Sequence, residues 1–365
     1  MISLWILLGL GLTDLAAFAL CAVLPLAHIH GLYFGVPVPE EARREPDVLA
    51  VRRRYLLQAA LVAGAGVAAG LGLGAATGWA AEAIVLPPIV LHSVGILLAI
   101  AAAHRAALRL QAKRGWTLPD SAKRVANLRF RQKQRMIGIG WYGIHLAVIA
   151  LGVLAAIAGW DRIPDLIATH YGINGEPDHY SAKTIGSVFQ LNLIQLGMLA
   201  VFLIVHGTMR QAGARLDPQH PESSMQQEIR QRRVMSIFIY GLSLLTIAFM
   251  GYIQVSLLFG WSMNLLLIGS VLLPLALIGA TAGLALYLIR RGLYRNAVPQ
   301  MQEERHWKGG GFFYYNPDDP ALLVPKRYGI GMTFNFARPL SWVILAAVVL
   351  LPIAVIVAAE MAYRP

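Results

Sequence analysis

The sequence predicts an all-α integral membrane protein, a bundle of about eight transmembrane helices with both termini extracytoplasmic. Three observations carry this. Hydrophobic residues make up 57% of the chain and charged residues 14%, with a mean hydropathy of +0.58, which is outside the range of soluble domains. Apolar runs of about 20 residues, enough for a helix to cross about 30 Å of hydrocarbon, recur along it. Basic residues also alternate: of the 31 Lys and Arg, only Arg162, Lys183 and Arg364 fall outside every second connecting segment. The positive-inside rule places those three, and both termini, on the outer side.

The apolar runs lie at residues 2–26, 55–76, 83–103, 137–159, 185–206, 234–257, 265–289 and 340–359. The first has no basic lead-in and no small-residue cleavage site, so it is expected to be a retained span rather than a signal peptide. It carries Asp14 near its middle and the single cysteine, Cys21, expected to pack in the interior. The second, fourth and sixth follow the similar basic segments VRRRYLL, RFRQKQRM and IRQRRVM, as the positive-inside rule alone requires. Pro87 and Pro88 interrupt the third, ahead of His92, and Pro274 interrupts the seventh. Tryptophan prefers the membrane interface, and all eight Trp fall near predicted ends or in the connecting segments.

Four regions follow: a three-span N-terminal region at 1–136 with a basic cytoplasmic loop, a two-span unit at 137–206 with an external loop at 160–184, a two-span region at 207–306, and 307–365, holding an aromatic and Asn-Pro-Asp-Asp-Pro motif and the last span. In the first, PDSAKRVANLRFRQKQR reads as a basic helix lying on the membrane surface. The net charge of +12 is spread over short inter-span segments, so anionic lipid rather than nucleic acid is the expected partner. The triple glycine at 309–311 lacks the Lys-Ser/Thr of a phosphate-binding loop. No cofactor and no enzymatic activity are expected.

Charged groups inside spans need partners. An unpaired carboxylate at mid-membrane costs at least about 2.5 to 3.5 kcal/mol, so Asp14 is either protonated or faces His92, His145 or Gln254. His206, Asn192 and Gln195 are further inward-facing candidates for interhelical hydrogen bonds. Together with the prolines, Asp14 leaves open an ion-coupled permease.

The external loop, DRIPDLIATHYGINGEPDHYSAK, concentrates polar chemistry between two spans. Three uses fit its residues. His170, Glu176, Asp178 and His179 are candidate ligands for zinc or manganese, though the spacing matches no metal motif. Asp178 with His170 is a candidate acid and base pair. The third and preferred use is recognition, with His170, Asn174, Gly175, Pro177, Asp178 and Lys183 shaping a stiff binding element around an Asn-Gly turn.

On Pro164, His170, Gly172, Asn174, Gly175, Pro177, Asp178 and Lys183, the segment 137–206 resembles the bacterial membrane family that includes the toxin-immunity protein SdpI. FFYYNPDDP, VPKR and the run from Gly329 to Phe336 are similar to a second uncharacterised domain that often accompanies it, and FGVPVPEE at Phe34 also looks family-like. The resemblance implies a multi-pass protein of the bacterial inner membrane, immunity to a secreted peptide toxin, and relay of its presence to a cytoplasmic regulator.

Overall fold

The structure, a computed structural model, describes residues 4–27, 32–39, 41–77, 81–116, 133, 135–171, 177–211, 221–261, 263–293, 306–326, 332–346 and 350. The chain is mostly helical. Its principal helices are α1 (Leu4–Val23), α2 (Pro46–Ala76), α3 (Ala81–Arg114), α4 (Gly143–Ala158), α5 (Ile185–Gln211), α6 (Pro221–Phe259) and α7 (Met263–Arg290). Six of them, α2 to α7, are long and apolar enough to cross a membrane, α4 together with the 3-10 turn at Ile139–Tyr142, and α1 is a further apolar helix. Residues 339–346 are helical where the eighth span is expected to begin. Most of the remainder of that span, and the expected surface helix before Arg135, lie outside the described residues.

Several helices outrun their apolar runs. At 1.5 Å per residue, the 39 residues of α6 extend roughly 60 Å, about twice the hydrocarbon thickness. The Arg-rich lead-ins at Arg52 and Arg230 are therefore early turns of α2 and α6 rather than loops. One of these arginines has a second use. Arg232 is buried, and it donates to Glu228 Oε1 (2.8 Å) and to the Met209 carbonyl (3.0 Å) in the last turn of α5, where carbonyls lack helical partners.

A seam of small residues joins α2 to α3. Gly66, Gly70 and Gly74 are buried at four-residue intervals on α2, the small-xxx-small pattern that lets membrane helices approach closely. A Cβ on Gly66 would overlap His92 Nε2, and one on Gly70 would lie 3.0 Å from the Ile84 carbonyl. Pro88 has no N–H to give that carbonyl, yet α3 runs unbroken through both prolines. In the opposite sense, Gly95 of α3 receives Val62 of α2.

The second group is α4, α5 and α6, with α6 packed on both of the others. α7 links the two groups, touching α1 on one side and α6 on the other. Gly9 admits Val271, and Gly269 admits Phe249. Cys21 is exposed on α1 rather than packed inside.

The connecting segments depart from the all-α expectation, because they form four two-stranded antiparallel sheets: β1 (Leu32–Tyr33) with β2 (Val36–Pro37), β3 (Leu166–Tyr171) with β4 (Pro177–Ala182), β5 (Trp307–Lys308) with β6 (Phe313–Tyr314), and β7 (Leu323–Pro325) with β8 (Met332–Phe334). Hairpins satisfy backbone groups locally where a short loop must stay compact. In the first, Phe34 and Gly35 both have positive φ, 47° and 73°, the pattern of a type I′ turn. The strained Phe34 is held by burial against Tyr33 and Tyr55, and His104 Nδ1 donates to its carbonyl (2.8 Å). Burial also pushes the Tyr33 hydroxyl, which donates to the Val48 carbonyl, up to about 12.

Gly66→Ala is expected to cost about 1–3 kcal/mol through overpacking of the seam. The check is a lowered Tm in detergent relative to Gly64→Ala, since a Cβ at Gly64 meets nothing within 4 Å.

Candidate functional site

The segment expected to form the external loop is a β-hairpin rooted in the helical bundle. Ile163 and Ile167 are buried with Ala156, Val188 and Leu258, so the base of β3 is fixed against α4, α5 and α6. Lys183 locks the other side. Its backbone N–H donates to the Asp165 carbonyl (2.8 Å), its ammonium donates to the Ile163 carbonyl (3.1 Å), and the same ammonium sits 5.3 Å from the centre of the Trp160 ring. A reciprocal cap then starts α5: Thr184 N–H donates to Ser187 Oγ, and Ser187 N–H to Thr184 Oγ1, in the manner of a capping box.

Beyond that base the hairpin projects. Leu166, Pro177, His179 and Tyr180 are exposed, and the register pairs His170 with His179 and Tyr171 with Pro177 around two irregularities. Of the residues expected to shape recognition or hold a metal, Asn174, Gly175 and Glu176 lie outside the described residues, as do the side chains of His170 and Asp178. Among the described residues no group of three or more His, Cys, Asp or Glu is placed to hold a metal ion. Lys183, expected to contribute to binding, is committed to the hairpin's own base.

Inside the spans, the polar residues meet one another. Asp14 Oδ2 lies 2.6 Å from His92 Nδ1, joining α1 to α3, and His92 Nε2 donates to the Ala63 carbonyl of α2 (3.2 Å). His92 is buried, and Phe18 packs on its ring. Of the three partners open to Asp14, the fold selects His92.

His145 occupies a separate cluster. Ser243 Oγ donates to the Tyr240 carbonyl (2.8 Å), so its oxygen accepts from His145 Nε2–H (2.8 Å). The His145 ring stacks on Tyr142, whose hydroxyl is 3.4 Å from His206 Nδ1. His145 Nδ1 and His206 Nε2 are buried without a hydrogen-bond partner among the described residues.

Three to four turns further along α5 and α6 runs a ladder of amides. Gln254 Nε2 donates to Asn192 Oδ1 (2.5 Å), Asn192 Nδ2 to Gln195 Oε1 (3.1 Å), and Gln195 Nε2 to the Ile247 carbonyl (2.9 Å). Gly152 leaves room for it, because a Cβ there would lie 3.0 Å from Gln254 Oε1.

At the other end of the chain, the Asn-Pro-Asp-Asp-Pro motif closes on a single buried amide. Asn335 Oδ1 accepts from the N–H groups of Asn316 and Ala337, and Asn335 Nδ2 donates to the carbonyls of Asn316 and Asp319. Tyr314 donates to Asp319 Oδ2 (3.1 Å), and Arg338 donates to the carbonyls of Pro317 and Asp319. The glycine turn at Gly309–Gly311 packs on α3, and Phe312 joins the core built around Phe34 and Tyr55. Thus FGVPVPEE and the C-terminal motif, far apart in sequence, share one core. Nothing local in the sequence marks this convergence, because long-range contacts of this kind leave no periodic signal.

Residues 147–196, from α4 through the hairpin into α5, match a domain of unknown function, DUF1648. Residues 317–342 match a family of unknown function, DUF5808. No curated protein and no solved structure matches the chain.

Asn335→Ala is expected to destabilise the C-terminal motif by at least about 3 kcal/mol, since it removes four hydrogen bonds and orphans buried backbone groups. Limited proteolysis should then cut within residues 306–342 at protease levels that leave the parent protein intact.

Proposed function

We propose that this chain is a multi-pass protein of the bacterial inner membrane that recognises an extracytoplasmic ligand, an extended membrane-active peptide, through the hairpin of β3 and β4. The observation that carries the proposal is a hairpin whose base is buried between spans while Leu166, Pro177, His179 and Tyr180 stand exposed beyond it. β3 lies against α6, which leaves the edge of β4 as the surface to which an extended peptide adds main-chain hydrogen bonds. Its alternating side chains supply selectivity.

The side of the membrane follows from the distribution of Lys and Arg. The resemblance to the SdpI-like family supports a role in peptide-toxin immunity or sensing, with the basic cytoplasmic segments holding a regulator. Binding, not catalysis, is the proposed activity, and no cofactor is assigned to it. A second reading, an ion-coupled permease, draws its support from the Asp14–His92 pair between α1 and α3.

Cells expressing the protein are expected to survive a panel of secreted membrane-active peptides better than cells lacking it. His170→Ala with Asp178→Ala, or Tyr180→Ala alone, should reduce that protection at least about tenfold, equivalent to about 1.4 kcal/mol of binding. Equal protection by inserted, monodisperse variants would remove the hairpin from the mechanism.

A further inference from the structure

The Asp14–His92 contact has a fixed proton count. The Ala63 carbonyl can only accept, so the hydrogen on His92 Nε2 is committed to it. One proton then remains to be divided between His92 Nδ1 and Asp14 Oδ2 across 2.6 Å. The pair is either imidazolium with carboxylate or neutral imidazole with carboxylic acid, and it is uncharged overall in both forms. That makes it tolerable in hydrocarbon.

Its surroundings leave it alone with that proton. Asp14 is about 10 residues from each end of α1, roughly 15 Å from either helix terminus at 1.5 Å per residue. Within α1, the one other titratable side chain is Cys21. Along the apolar stretch of α2 it is Tyr55, whose hydroxyl donates to the Ala22 carbonyl near the end of α1. α3 brings Glu82 close to its start and, from three turns beyond His92 onward, His104, which is committed to Phe34, and then Arg105, Arg109, Lys113 and Arg114. α7, which packs on α1, has Tyr287 and Arg290 only in its last turns. Among the described residues no opposite charge at the level of the pair compensates a proton gained or lost.

We propose that Asp14 and His92 form a reversible proton-binding site within the membrane, in which Asp14 Oδ2 and His92 Nδ1 share one proton. Uptake of a second proton converts the pair to imidazolium facing carboxylic acid, a net charge of plus one. Loss of the shared proton leaves carboxylate facing neutral imidazole. Both changes weaken the link between α1 and the α2–α3 seam. Because α1 also contacts α7, and α7 contacts α6, the site lies on the packing route between the two helical groups. The inference deepens the permease reading and is independent of the hairpin.

The test uses the full-length protein in lipid nanodiscs. Infrared difference spectra across a pH series are expected to show a carboxylic-acid C=O band that is absent in Asp14→Asn and displaced in His92→Gln. In the 15N-histidine-labelled parent protein, His92 Nδ1, assigned by sequential connectivity to its backbone in the parent itself, should change with pH while Nε2 stays protonated. The labelled parent keeps the test decisive where a variant fails to fold. A parent protein whose His92 nitrogens and carboxyl bands do not change at any pH at which it stays folded would reduce the pair to an interhelical pin, as would a band that survives in Asp14→Asn. Peptide protection by the hairpin is measured separately, so either reading can fail without the other.

Discussion

Hydrocarbon offers a polar group no hydrogen-bond partner, so each polar side chain carried into a span has to find one on a neighbouring helix. In this chain that requirement decides which helices touch. Asp14 draws α1 to α3 through His92, and His92 reaches onward to a carbonyl of α2. Gln254, Asn192 and Gln195 tie α6 to α5 beside the small face of α4. Close approach makes these bonds possible, and glycine makes close approach possible: a side chain at Gly66 would occupy the space of the His92 ring itself.

The same constraint gives the parts beyond the spans their form. An exposed loop could satisfy its backbone with water, but the hairpin of β3 and β4 pairs its own strands and buries two isoleucines between helix ends. It thereby becomes an extension of the bundle rather than a tether. The C-terminal motif uses a different device, one buried asparagine amide serving four backbone groups, and it docks its aromatic side on the core beneath Phe34. The region 147–196, which matches one family of unknown function, thus belongs to the second helical group, while the segment just before the other, 317–342, docks on the first through Gly309–Gly311 and Phe312.

Much of the candidate site was legible residue by residue. Asp14, His92, His145, Asn192, Gln195 and Gln254 stand out because polar groups in apolar runs are costly, and inward-facing contacts follow from that cost. The partner of Asp14 was not legible, because three residues satisfied the same chemistry and only the antiparallel register of α2 with α3, together with the seat of α1, selects one. The small-residue stripe of Gly66, Gly70 and Gly74 is visible in the sequence as a four-residue repeat, to which hydropathy is blind. The hairpin was half visible: Asn174 and Gly175 signalled a turn, but Pro177 and Asp178 are poor strand formers, and pairing with LIATHY overrides that local preference.

Taken alone, the sequence determined the solvent of this protein and the approximate places where its helices run, because hydrophobic length and charge alternation are local properties that each segment carries by itself. It also determined which polar residues must be paired. Tertiary structure decided with whom: that Asp14 meets His92 and not His145, that Lys183 braces the hairpin's base, and that the segment at Phe34 and the motif at Asn316 share one core. Each of those is a choice among contacts of similar chemistry, and only the packing of close helices, with glycine where no side chain fits, removes the alternatives.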